Sequence, residues 1–501
     1  MTPGPLTAAD PVRAVRAALD GGPLAWLVGG VVRDALLGRE LRDIDVVVAG
    51  APEDAARRIA AVLRGPVFPL SEAFGAWRAL DRERRFFCDV SPLHGATIEE
   101  DLGRRDFTVN AMAVSLGRRA RIDPLGRRER IDTRSGVERI DPHGGGERID
   151  PHGGEVDLEA RRLRVLGAQA YEDDPLRPLR LVRLAAELGF APDPDTERLT
   201  LAAAHRLGEP SPERLFAELR RLVTAPGVLE GLDLAARLGI LSAVLPELTA
   251  LAGIEQSHFH HLDVYGHTIE VLRRLIELEA DIAGVFGDLA PRVEAILAAP
   301  LADELTRGQA LRFGALFHDV AKPLTRGQRP DGRVTFVGHD SIGERIVGHI
   351  FRRLRASERL RRYVGKLTRE HLVLGFLAHE RALSRRDVHT YLRRCEPVEV
   401  EVTVLSCADR LATRGPGQEP WIEAHLALAR ELMGPALDWR AHGPPQPPVR
   451  GDELASELRI RLGPEVGELL ARLEEAVFTG EVTTREEALA HARRFRQEDR
   501  G

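Results

Sequence analysis

Hydrophobic positions follow two different rhythms along the chain. In the first 120 residues, short apolar runs predict β-strands, and helical patterns lie between them. These runs are Leu24–Val28, Ile44–Val48, Phe86–Val90 and Ala111–Leu116. After residue 157, apolar residues recur every three or four positions, as in "RPLRLVRLAAELGF" and "PERLFAELRRLVTA", and this spacing predicts helices. The pattern therefore predicts an α+β chain, with a small N-terminal α/β domain and an all-α remainder.

Four consecutive nonapeptides separate the two parts. They read "RIDPLGRRE", "RIDTRSGVE", "RIDPHGGGE" and "RIDPHGGEV", and they run from Arg121 to Val156. Because they contain few apolar residues, they cannot form a core, and we interpret them as one turn duplicated into a surface loop without a function. The stretches "GPGQEPW" and "HGPPQPPVRG" mark later boundaries. The predicted domains are 1–120 (head), 121–156 (repeat insertion), 157–255 (helical neck and body), 256–415 (histidine-rich helical domain) and 416–501 (helical tail).

The amino-acid composition indicates the cellular compartment of the protein but does not identify its binding partner. The chain has 3 cysteines, too few and too far apart for a disulfide framework or a cysteine zinc site. No apolar stretch is long enough to span a membrane and the N-terminus lacks a signal-peptide pattern, so we expect a cytoplasmic protein without a membrane partner. Basic charge is carried almost wholly by arginine, which suits phosphate and base recognition. A GC-rich genome would enrich arginine equally, so this bias does not decide the partner.

Two aspartates at the start of a predicted strand form the first candidate site. In "LVGGVVRDALLGRELRDIDVVV", Asp43 and Asp45 lie two residues apart, so their side chains point to one face. Such a pair can hold Mg²⁺ ions that activate an attacking hydroxyl and neutralise a leaving pyrophosphate. Gly29 and Gly30 let the backbone approach phosphate, and the following helix offers N–H groups to the anion. As an isolated motif, DxD is more typical of two solvated aspartates at a turn.

The complete stretch resembles the signature of class II nucleotidyltransferases, the bacterial CCA-adding enzymes and poly(A) polymerases. Their pattern "GGxVRDxLLGRxxxDxD" is matched here at every fixed position. The resemblance implies a nucleotidyltransferase head in which Asp43 and Asp45 are the catalytic Mg²⁺ ligands. It adds Gly29, Gly30 and Arg33 to the nucleotide-binding site, and it makes tRNA, CTP and ATP the expected partners.

A second motif, "RRDFTVNAMA", follows at Arg104–Ala113. It resembles the ribose-binding motif of the family, which implies that Arg105, Asp106 and Asn110 contact the sugar and the phosphates. Asp106 can accept a hydrogen bond from a ribose hydroxyl, which would favour ribonucleotides over deoxyribonucleotides. Without the preceding motif, the same residues would be typical of a strand-entry turn with a surface ion pair.

A third motif lies in "YEDDPLRPLRLVRLAAELGF". Asp174 and Arg177 are three residues apart, and we expect them on one helix face. The carboxylate can accept from the exocyclic amine of C or A, and the guanidinium can donate to the adjacent ring nitrogen, a pattern that G and U reverse. The family has its amino-acid template "EDxxR" here, although Asp173 replaces its glutamate. Arg180 and Arg183 continue the basic face and are expected to contact nucleotide or tRNA.

The segment between the first two motifs is short. Family members that complete CCA carry a flexible loop rich in tyrosine and arginine there, whereas this chain has only "RFFCDVSPLHGATIEEDLGRRDF". The short segment resembles that of CC-adding relatives, so the addition of the terminal A stays open. Asp89, at the end of a predicted strand, is a candidate third acidic residue of the site.

The histidine-rich helical region contains a second candidate site. Adjacent His–Asp in an apolar helix is costly unless the pair is neutralised or binds metal, and ligands from separate helices suit a divalent ion. The order of "DVYGHTIEVL", "LFHDVAKP", "VGHDSIGERI", "REHL" and "CADRLA" resembles the HD phosphohydrolase superfamily, in which some members have lost their metal. The implied ligands are His267, His318, Asp319 and Asp409, while His339 and His371 could hold a second ion and Lys322 a substrate phosphate.

These motifs predict a tRNA 3′-end enzyme with two activities. The head and neck would transfer CMP, and AMP as an open alternative, from CTP and ATP to the tRNA 3′ hydroxyl without a nucleic-acid template. The HD domain, with a divalent metal of unspecified identity, would hydrolyse phosphate esters. The alternatives are a CC-adding enzyme, a poly(A) polymerase, or, from another class, an HD phosphohydrolase whose head only binds nucleotide.

Overall fold

The computed structural model describes residues 10–71, 75–116, 121–122, 128–129, 146–256, 262–377, 383–413 and 419–498. The chain divides into two compact units. The first is Met1–Pro210 with Arg237–Ile240, and the second is Ser211–Ala236 with Leu241–Gly501. The predicted α+β class is confirmed, since a sheet-containing N-terminal part precedes a helical one. Within the described ranges, no helix is both long and apolar enough to cross a membrane.

The first unit is built around a seven-stranded sheet. Its N-terminal part contains β1 (Ala25–Val28), β2 (Asp43–Val48), β3 (Val67–Ser71), β4 (Ala76–Leu80), β5 (Phe87–Pro92), β6 (Ala113–Ser115), β7 (Arg121–Ile122), β8 (Arg128–Glu129) and β9 (Arg148–Ile149). The sheet order is β3-β4-β5-β2-β1-β6-β9, whereas β7 and β8 pair only with each other. Strand β2 runs parallel to β5, and the other neighbours are antiparallel. The four strands predicted from apolar runs are β1, β2, β5 and β6.

Alternation along β2 determines which face carries the acidic side chains. Ile44, Val46 and Val48 are fully buried and pack in one core with the helices α1 (Asp10–Leu19) and α3 (Pro52–Leu63). Truncating such a side chain to alanine costs about 2–5 kcal/mol of unfolding free energy. Asp43 and Asp45 therefore point to the opposite face of the strand, as the sequence predicts. The short helices α2 (Gly30–Leu36) and α4 (Ile98–Leu102) complete this part.

The last nonapeptide copy is part of the fold. Its Arg148–Ile149 forms β9 and pairs antiparallel with β6. Asp150 then accepts hydrogen bonds from the N–H groups of Gly154 (2.7 Å) and Glu155 (2.9 Å), at the start of α5 (Gly154–Glu159). The structure thus differs here from the expected surface loop, because the turn residues of this copy join a sheet strand to a helix. Most of the three preceding copies lies outside the described residues.

The remaining elements of the first unit are mainly helical. They are β10 (Arg162–Leu163), α6 (Ala168–Asp173), α7 (Arg177–Leu188), β11 (Ala191–Pro192) and α8 (Pro194–Ala203). Strands β10 and β11 form a parallel pair. The sequence did not predict this pair, because strands of two residues have no readable period.

The second unit is helical, with two further short antiparallel strand pairs. Its elements begin with α9 (Pro212–Thr224), α10 (Val228–Arg237), α11 (Ile240–Val244), α12 (Pro246–Thr249), α13 (Val264–Ala280), α14 (Ile282–Phe286), α15 (Ala290–Ala298), β12 (Pro300–Ala302), β13 (Leu305–Thr306), α16 (Arg307–Phe317) and α17 (Lys322–Thr325). They continue with β14 (Gly327–Gln328), β15 (Val334–Thr335), α18 (His339–Arg353), α19 (Glu358–Glu370), α20 (Val373–Leu377), α21 (Arg385–Cys395), α22 (Glu399–Ala412), α23 (Glu419–His442), α24 (Gly451–Leu458), α25 (Pro464–Thr479) and α26 (Arg485–Glu498).

Candidate active sites

A row of charged side chains crosses three neighbouring strands of the head sheet. Asp45 on β2 is the register partner of Asp89 on β5, and Asp89 is the partner of Arg78 on β4. The guanidinium of Arg78 donates two hydrogen bonds to the Asp89 carboxylate, at 2.6 and 2.7 Å. It also lies 3.9 Å from the ring centroid of Phe87. The sheet thus places Asp89, the candidate third carboxylate, next to Asp45. Its carboxylate is held by two hydrogen bonds from Arg78, which the sequence analysis did not identify.

Asp45 sits in an environment that disfavours its charge. Burial raises the pKa of this carboxyl to about 6; the cation of Arg105 opposes this shift, and the neighbouring carboxylates of Asp89 and Asp43 add to it. A metal cation between the carboxylates would remove the repulsion. The donor set, carboxylate oxygens on one face, is the one that Mg²⁺ prefers.

Gly29 leaves room where the first motif meets the second. Its φ of 74° lies in the left-handed region. A Cβ atom at this position would lie 2.8 Å from Nη1 of Arg105 and 3.8 Å from Oδ2 of Asp45. Only glycine therefore keeps open the space between this guanidinium and this carboxylate. The space is suited to an anion that contacts the arginine and meets the Asp45 carboxylate through a bound cation.

Asp106 is the centre of a buried hydrogen-bond network. Its Oδ2 accepts from Nε (2.9 Å) and Nη2 (2.8 Å) of Arg180, and its Oδ1 accepts from the Phe107 N–H (2.8 Å) and the Asn110 amide (3.0 Å). Nη1 of Arg33 in turn donates to Oδ1 of Asn110 at 2.6 Å. Burial alone would raise the pKa of Asp106, but Arg180 and Asn110 hold it well below its usual range. A ribose contact by Asp106 stays a prediction, since four donors already surround its carboxylate.

The expected base-reading pair does not lie on one helix. Helix α6 ends at Asp173 and α7 begins at Arg177, so Asp174 sits between them in an extended conformation. The reason is Pro175, because a residue before proline avoids the helical region. Arg177 nonetheless points to the second motif, where its guanidinium donates to the carbonyls of Arg104 (2.7 Å) and Arg105 (3.0 Å).

Arg183, the last expected nucleotide or tRNA contact, is buried on α7. It is 3% exposed and donates to Oε2 of Glu187 at 2.7 Å. Arg177 and Arg180 therefore both contact the second motif, Arg177 at backbone carbonyls and Arg180 at Asp106, while Arg183 pairs along its own helix.

The helical unit gathers all the residues of the expected HD site. They are His267 on α13, His318 and Asp319 after α16, Lys322 at the start of α17, His339 at the start of α18, His371 after α19 and Asp409 on α22. All but Asp409 are at least nine-tenths buried. Two groups have ligand atoms within 4.8 Å of one another: His267 with His318 and Asp409, and Asp319 with His339 and His371.

Asp319 belongs to the second group and also lies next to the first, with one carboxylate oxygen toward each. Its Oδ2 is 3.1 Å from Nε2 of His318 and 3.8 Å from Nε2 of His267. Its Oδ1 is 3.3 Å from Nε2 of His339 and 3.8 Å from Nε2 of His371. Although burial would raise the pKa of Asp319, His318 and Lys322 hold it well below its usual range, so the bridging position carries a negative charge.

The histidine tautomers fit a metal centre. Nδ1 of His318, His339 and His371 each lies 2.7–2.8 Å from a backbone carbonyl and donates to it, so Nε2 is the ring atom that can coordinate a metal once it carries no proton. Nε2 of His318 is buried without a hydrogen-bond partner, and Nε2 atoms of His339 and His371 face each other at 3.4 Å. Burial, with the neighbouring His318, lowers the pKa of His371 to about 4, which keeps its ring neutral. These nitrogens and carboxylates suit divalent ions.

The two sites differ in compactness. Across the parts of the chain that the structure describes, groups of three close potential ligands occur only in the helical unit.

Sequence reasoning missed Arg78, whose position in a short strand gave no signal, and Gln256, whose Oε1 accepts a hydrogen bond from Lys322 at 2.6 Å. The alternation of β4 could have pointed to Arg78 only once its pairing with β5 was known.

Comparison with known families matches three segments of the chain. Residues 25–135 match the poly A polymerase head domain, and residues 189–251 match a segment described as "Probable RNA and SrmB- binding site of polymerase A". Residues 264–414 match the HD domain. The acidic residues of the head, the second motif and the candidate HD ligands therefore lie inside matched segments, whereas residues 174–183 lie between the first and the second segment.

Similar proteins span nearly the full length. An A-adding tRNA nucleotidyltransferase of Deinococcus radiodurans is 36% identical over 96% of this chain and 97% of its own. A CC-adding tRNA nucleotidyltransferase of Thermus thermophilus is 35% identical over 93% of this chain and 92% of its own. A solved Thermotoga maritima CCA-adding enzyme complexed with tRNA has the same fold, with a TM-score of 0.57 and 20% identity over 97% of this chain and 96% of its own. The chain belongs to the bacterial tRNA nucleotidyltransferase family with a poly(A) polymerase head and an HD domain. The family and its HD domain imply the use of divalent metal.

Proposed function

We propose that the head transfers CMP or AMP from the triphosphate to the 3′ hydroxyl of tRNA. The observation that carries this proposal is the acidic row of β2 and β5 beside the space that Gly29 keeps open. Asp43 and Asp45 would hold Mg²⁺, which supplies an activated hydroxyl and neutralises the pyrophosphate. Arg105 lies on the other side of that space and binds the triphosphate as a cation.

The buried network positions the other nucleotide-binding groups. Arg33 and Asn110 are joined by a hydrogen bond, and Asp106 holds both Asn110 and Arg180. We assign the phosphates to the guanidinium groups of Arg33 and Arg180 and the sugar to this second motif. Because the donors are fixed before nucleotide binds, little side-chain entropy is lost on binding.

The base is read by Asp174 and Arg177 without a nucleic-acid template. Their acceptor and donor pattern fits C and A and rejects G and U. Arg177 donates to backbone carbonyls of the second motif, and we expect base binding to exchange these bonds for bonds to ring nitrogens. The A-adding and CC-adding relatives are almost equally similar to this chain, and both activities are compatible with the pair.

The test is an incorporation assay with three tRNA substrates, ending before CCA, after C, and after CC. CTP and ATP are supplied singly and together with Mg²⁺, and the product ends are sequenced. Addition of C residues, of one A, or of both supports the proposal and identifies the specificity. A long A tail would replace it with a poly(A) polymerase, and no incorporation on any substrate would overturn it.

We infer a second activity, hydrolysis of phosphate esters, from the HD cluster. Asp319 has one carboxylate oxygen toward each ligand group. Nζ of Lys322 lies 2.6 Å from Oδ2 of Asp319, and this ammonium group can bind a substrate phosphate. Divalent ions at these groups would supply a polarised water molecule. Release of inorganic phosphate from 3′-AMP with added Mn²⁺, Co²⁺ or Mg²⁺ is the expected result. No release with any ion, or equal release by His318→Ala, would contradict it.

Both activities belong with tRNA processing. The relatives are bacterial tRNA nucleotidyltransferases, which supports a cytoplasmic site of action for this chain.

A further inference from the structure

Helix α7 carries two of the proposed nucleotide-binding residues near its start, and both are tied to the second motif. Arg180 donates to Oδ2 of Asp106 from Nε at 2.9 Å and from Nη2 at 2.8 Å. Arg177 donates to the carbonyls of Arg104 (2.7 Å) and Arg105 (3.0 Å). These hydrogen bonds all act on the N-terminal half of the helix.

The C-terminal end of α7 is tied to the first motif instead. Nη2 of Arg39 donates to the carbonyl oxygen of Glu187 at 2.9 Å. This carbonyl is among the last four of the helix, which have no partner within it, and the N–H of Gly189 satisfies another of them, at Ala185. A cation at this end is also favoured by the helix dipole. Arg39 therefore caps the end of α7 from another part of the chain.

The first motif fixes Arg39 at the position from which it reaches α7. Helix α2 ends at Leu36, and Gly38 follows with a φ of 67° in the left-handed region. The N–H of Gly38 donates to the carbonyl of Ala35 (3.0 Å), and the N–H of Arg39 donates to the carbonyl of Asp34 (2.8 Å). These two bonds and the left-handed glycine form a Schellman motif, with Arg39 at its last position. The backbone of Arg39 is thus held in place independently of its side chain.

Helix α2 reaches the start of α7 by a second route. Nη1 of Arg33 donates to Oδ1 of Asn110 at 2.6 Å, and the Asn110 amide donates to Asp106, the acceptor of Arg180. The helix that begins beside the space kept open by Gly29 is therefore linked to both ends of α7.

Two links fix the direction of a helix, whereas a single link lets it pivot. Arg180 and Glu187 are roughly 10 Å apart along the axis of α7, and Arg177 lies about 4.5 Å from Arg180 on the other side. A shift of about 1 Å at Glu187 would therefore move Arg177 by roughly 0.4 Å in the opposite direction. Because base binding is expected to release Arg177 from its two carbonyls, the Arg39 bond is needed most in the nucleotide-bound protein.

We propose that Arg39 is a positioning residue that sets base selection through helix α7. Its hydrogen bond to Glu187 keeps Arg177 aligned with the base of a nucleotide whose phosphates are bound by the first motif. Arg39 itself contacts no nucleotide. This inference rests on the proposed transfer function and adds a residue outside the base-reading pair that determines its selectivity.

The first experiment measures kcat/KM with CTP against UTP, and with ATP against GTP, on the tRNA end that accepts each. We expect Arg39→Ala to lower kcat/KM for the accepted nucleotide about five-fold, since a misplacement of about 1 Å can cost about a hundred-fold. The rejected nucleotide should stay within about two-fold, because it does not use the bonds to Arg177. The melting temperature should be unchanged, because one exposed hydrogen bond contributes little to stability.

Two further variants make this result specific. Arg39→Lys should recover most of the selectivity, since an ammonium group can donate to the same carbonyl. Arg58→Ala is the matched control and should not alter selectivity, because Arg58 is also an exposed arginine of the first unit that donates to a backbone carbonyl, that of Asp20 at 2.8 Å. An equal loss with accepted and rejected nucleotides, unchanged selectivity in Arg39→Ala, or no recovery in Arg39→Lys would overturn the proposal.

The second experiment separates this inference from the transfer function. Titration calorimetry with Mg²⁺ and without tRNA gives the dissociation constants of CTP, UTP, ATP and GTP, and Arg39→Ala should weaken CTP or ATP about five-fold while leaving UTP and GTP unchanged. If the parent protein transfers no nucleotide but loses its binding preference in Arg39→Ala, the inference stands and the transfer function is overturned. If the parent protein transfers nucleotide and Arg39→Ala keeps the same preference, or if the parent protein has no preference, the inference is overturned.

Discussion

The head site and the HD cluster hold acidic groups in opposite ways. The head presents Asp43 and Asp45 from one strand, with Asp43 exposed, and their partners come from neighbouring strands of the same sheet. The HD cluster gathers candidate ligands, all buried except Asp409, from positions spread along the chain between His267 and Asp409. The contrast fits their proposed tasks: a large tRNA and a triphosphate must reach an open sheet face, whereas a single phosphate ester is small enough to reach a buried cluster.

The largest expected effect is that a substitution in either site abolishes the activity of that site and leaves the activity of the other unchanged. Asp45→Ala should lower nucleotide incorporation at least about a hundred-fold and leave 3′-AMP hydrolysis within two-fold, because it removes a metal-binding carboxylate of the head only. His318→Ala should do the reverse. Rates of both reactions with each variant check this. If either variant lowers both activities while its melting temperature is unchanged, the two sites are not independent.

The second prediction concerns Asp106. Because its carboxylate is fully used by Arg180, Asn110 and Phe107, Asp106→Asn should lower kcat/KM for CTP and dCTP by the same factor, about ten-fold. A carboxylate that instead reads the ribose hydroxyl would lose CTP activity selectively. Asp195→Asn, which removes an exposed surface ion pair, is the control and should change neither.

The third prediction is a pH effect on the metal-free head. The pKa of Asp45 is raised to about 6 in the fold from an unfolded value of 3.8, so its stability contribution is present below pH 4 and lost as pH rises through 6. Asp45→Asn should therefore match the parent protein at pH 4 and exceed it by about 1–2 kcal/mol at pH 7, after allowance for its partial exposure. Hydrogen exchange of the β2 segment in EDTA measures this, with Asp195→Asn as the control.

The opposite order of stability at pH 7, with the asparagine variant weaker, would mean that the Asp45 charge is already compensated without metal. Addition of Mg²⁺ should remove the difference between the two proteins.

The smallest expected effect is that of the repeats. Deleting residues 119–145 keeps Glu147, whose carbonyl accepts from Ser115, and the strand pair β6–β9. The shortened connection has a length typical of hairpins, so incorporation should stay within two-fold and the free energy of unfolding within about 1 kcal/mol. A large loss of incorporation would show that the preceding copies have a function.

The local motifs could be predicted from the sequence because each is short and regular. Alternation placed Asp43 and Asp45 on one face, and the apolar runs located β1, β2, β5 and β6. Strands β3 and β4 were not predicted. Strand β3 gave a weak signal because it is a short edge strand interrupted by Pro69. The break at Pro175 was visible in the sequence and should have separated Asp174 from Arg177.

Long-range pairings could not be predicted in this way. The Arg78–Asp89 clamp depends on which strands are neighbours, and the hydrogen bonds of Asp106 depend on how α7 packs on the second motif. The candidate HD ligands were predicted from residue type and order, and the structure brings them close together. Their division into two groups around Asp319 required the fold.

The most direct test of the central claim is a crystal structure of the full chain with CTP and Mn²⁺, using anomalous scattering to locate the ion. We predict an ion bound by carboxylate oxygens of Asp43 and Asp45 next to the triphosphate, with Arg105 on the other side. A triphosphate bound elsewhere, with both carboxylates free of metal, would contradict the account.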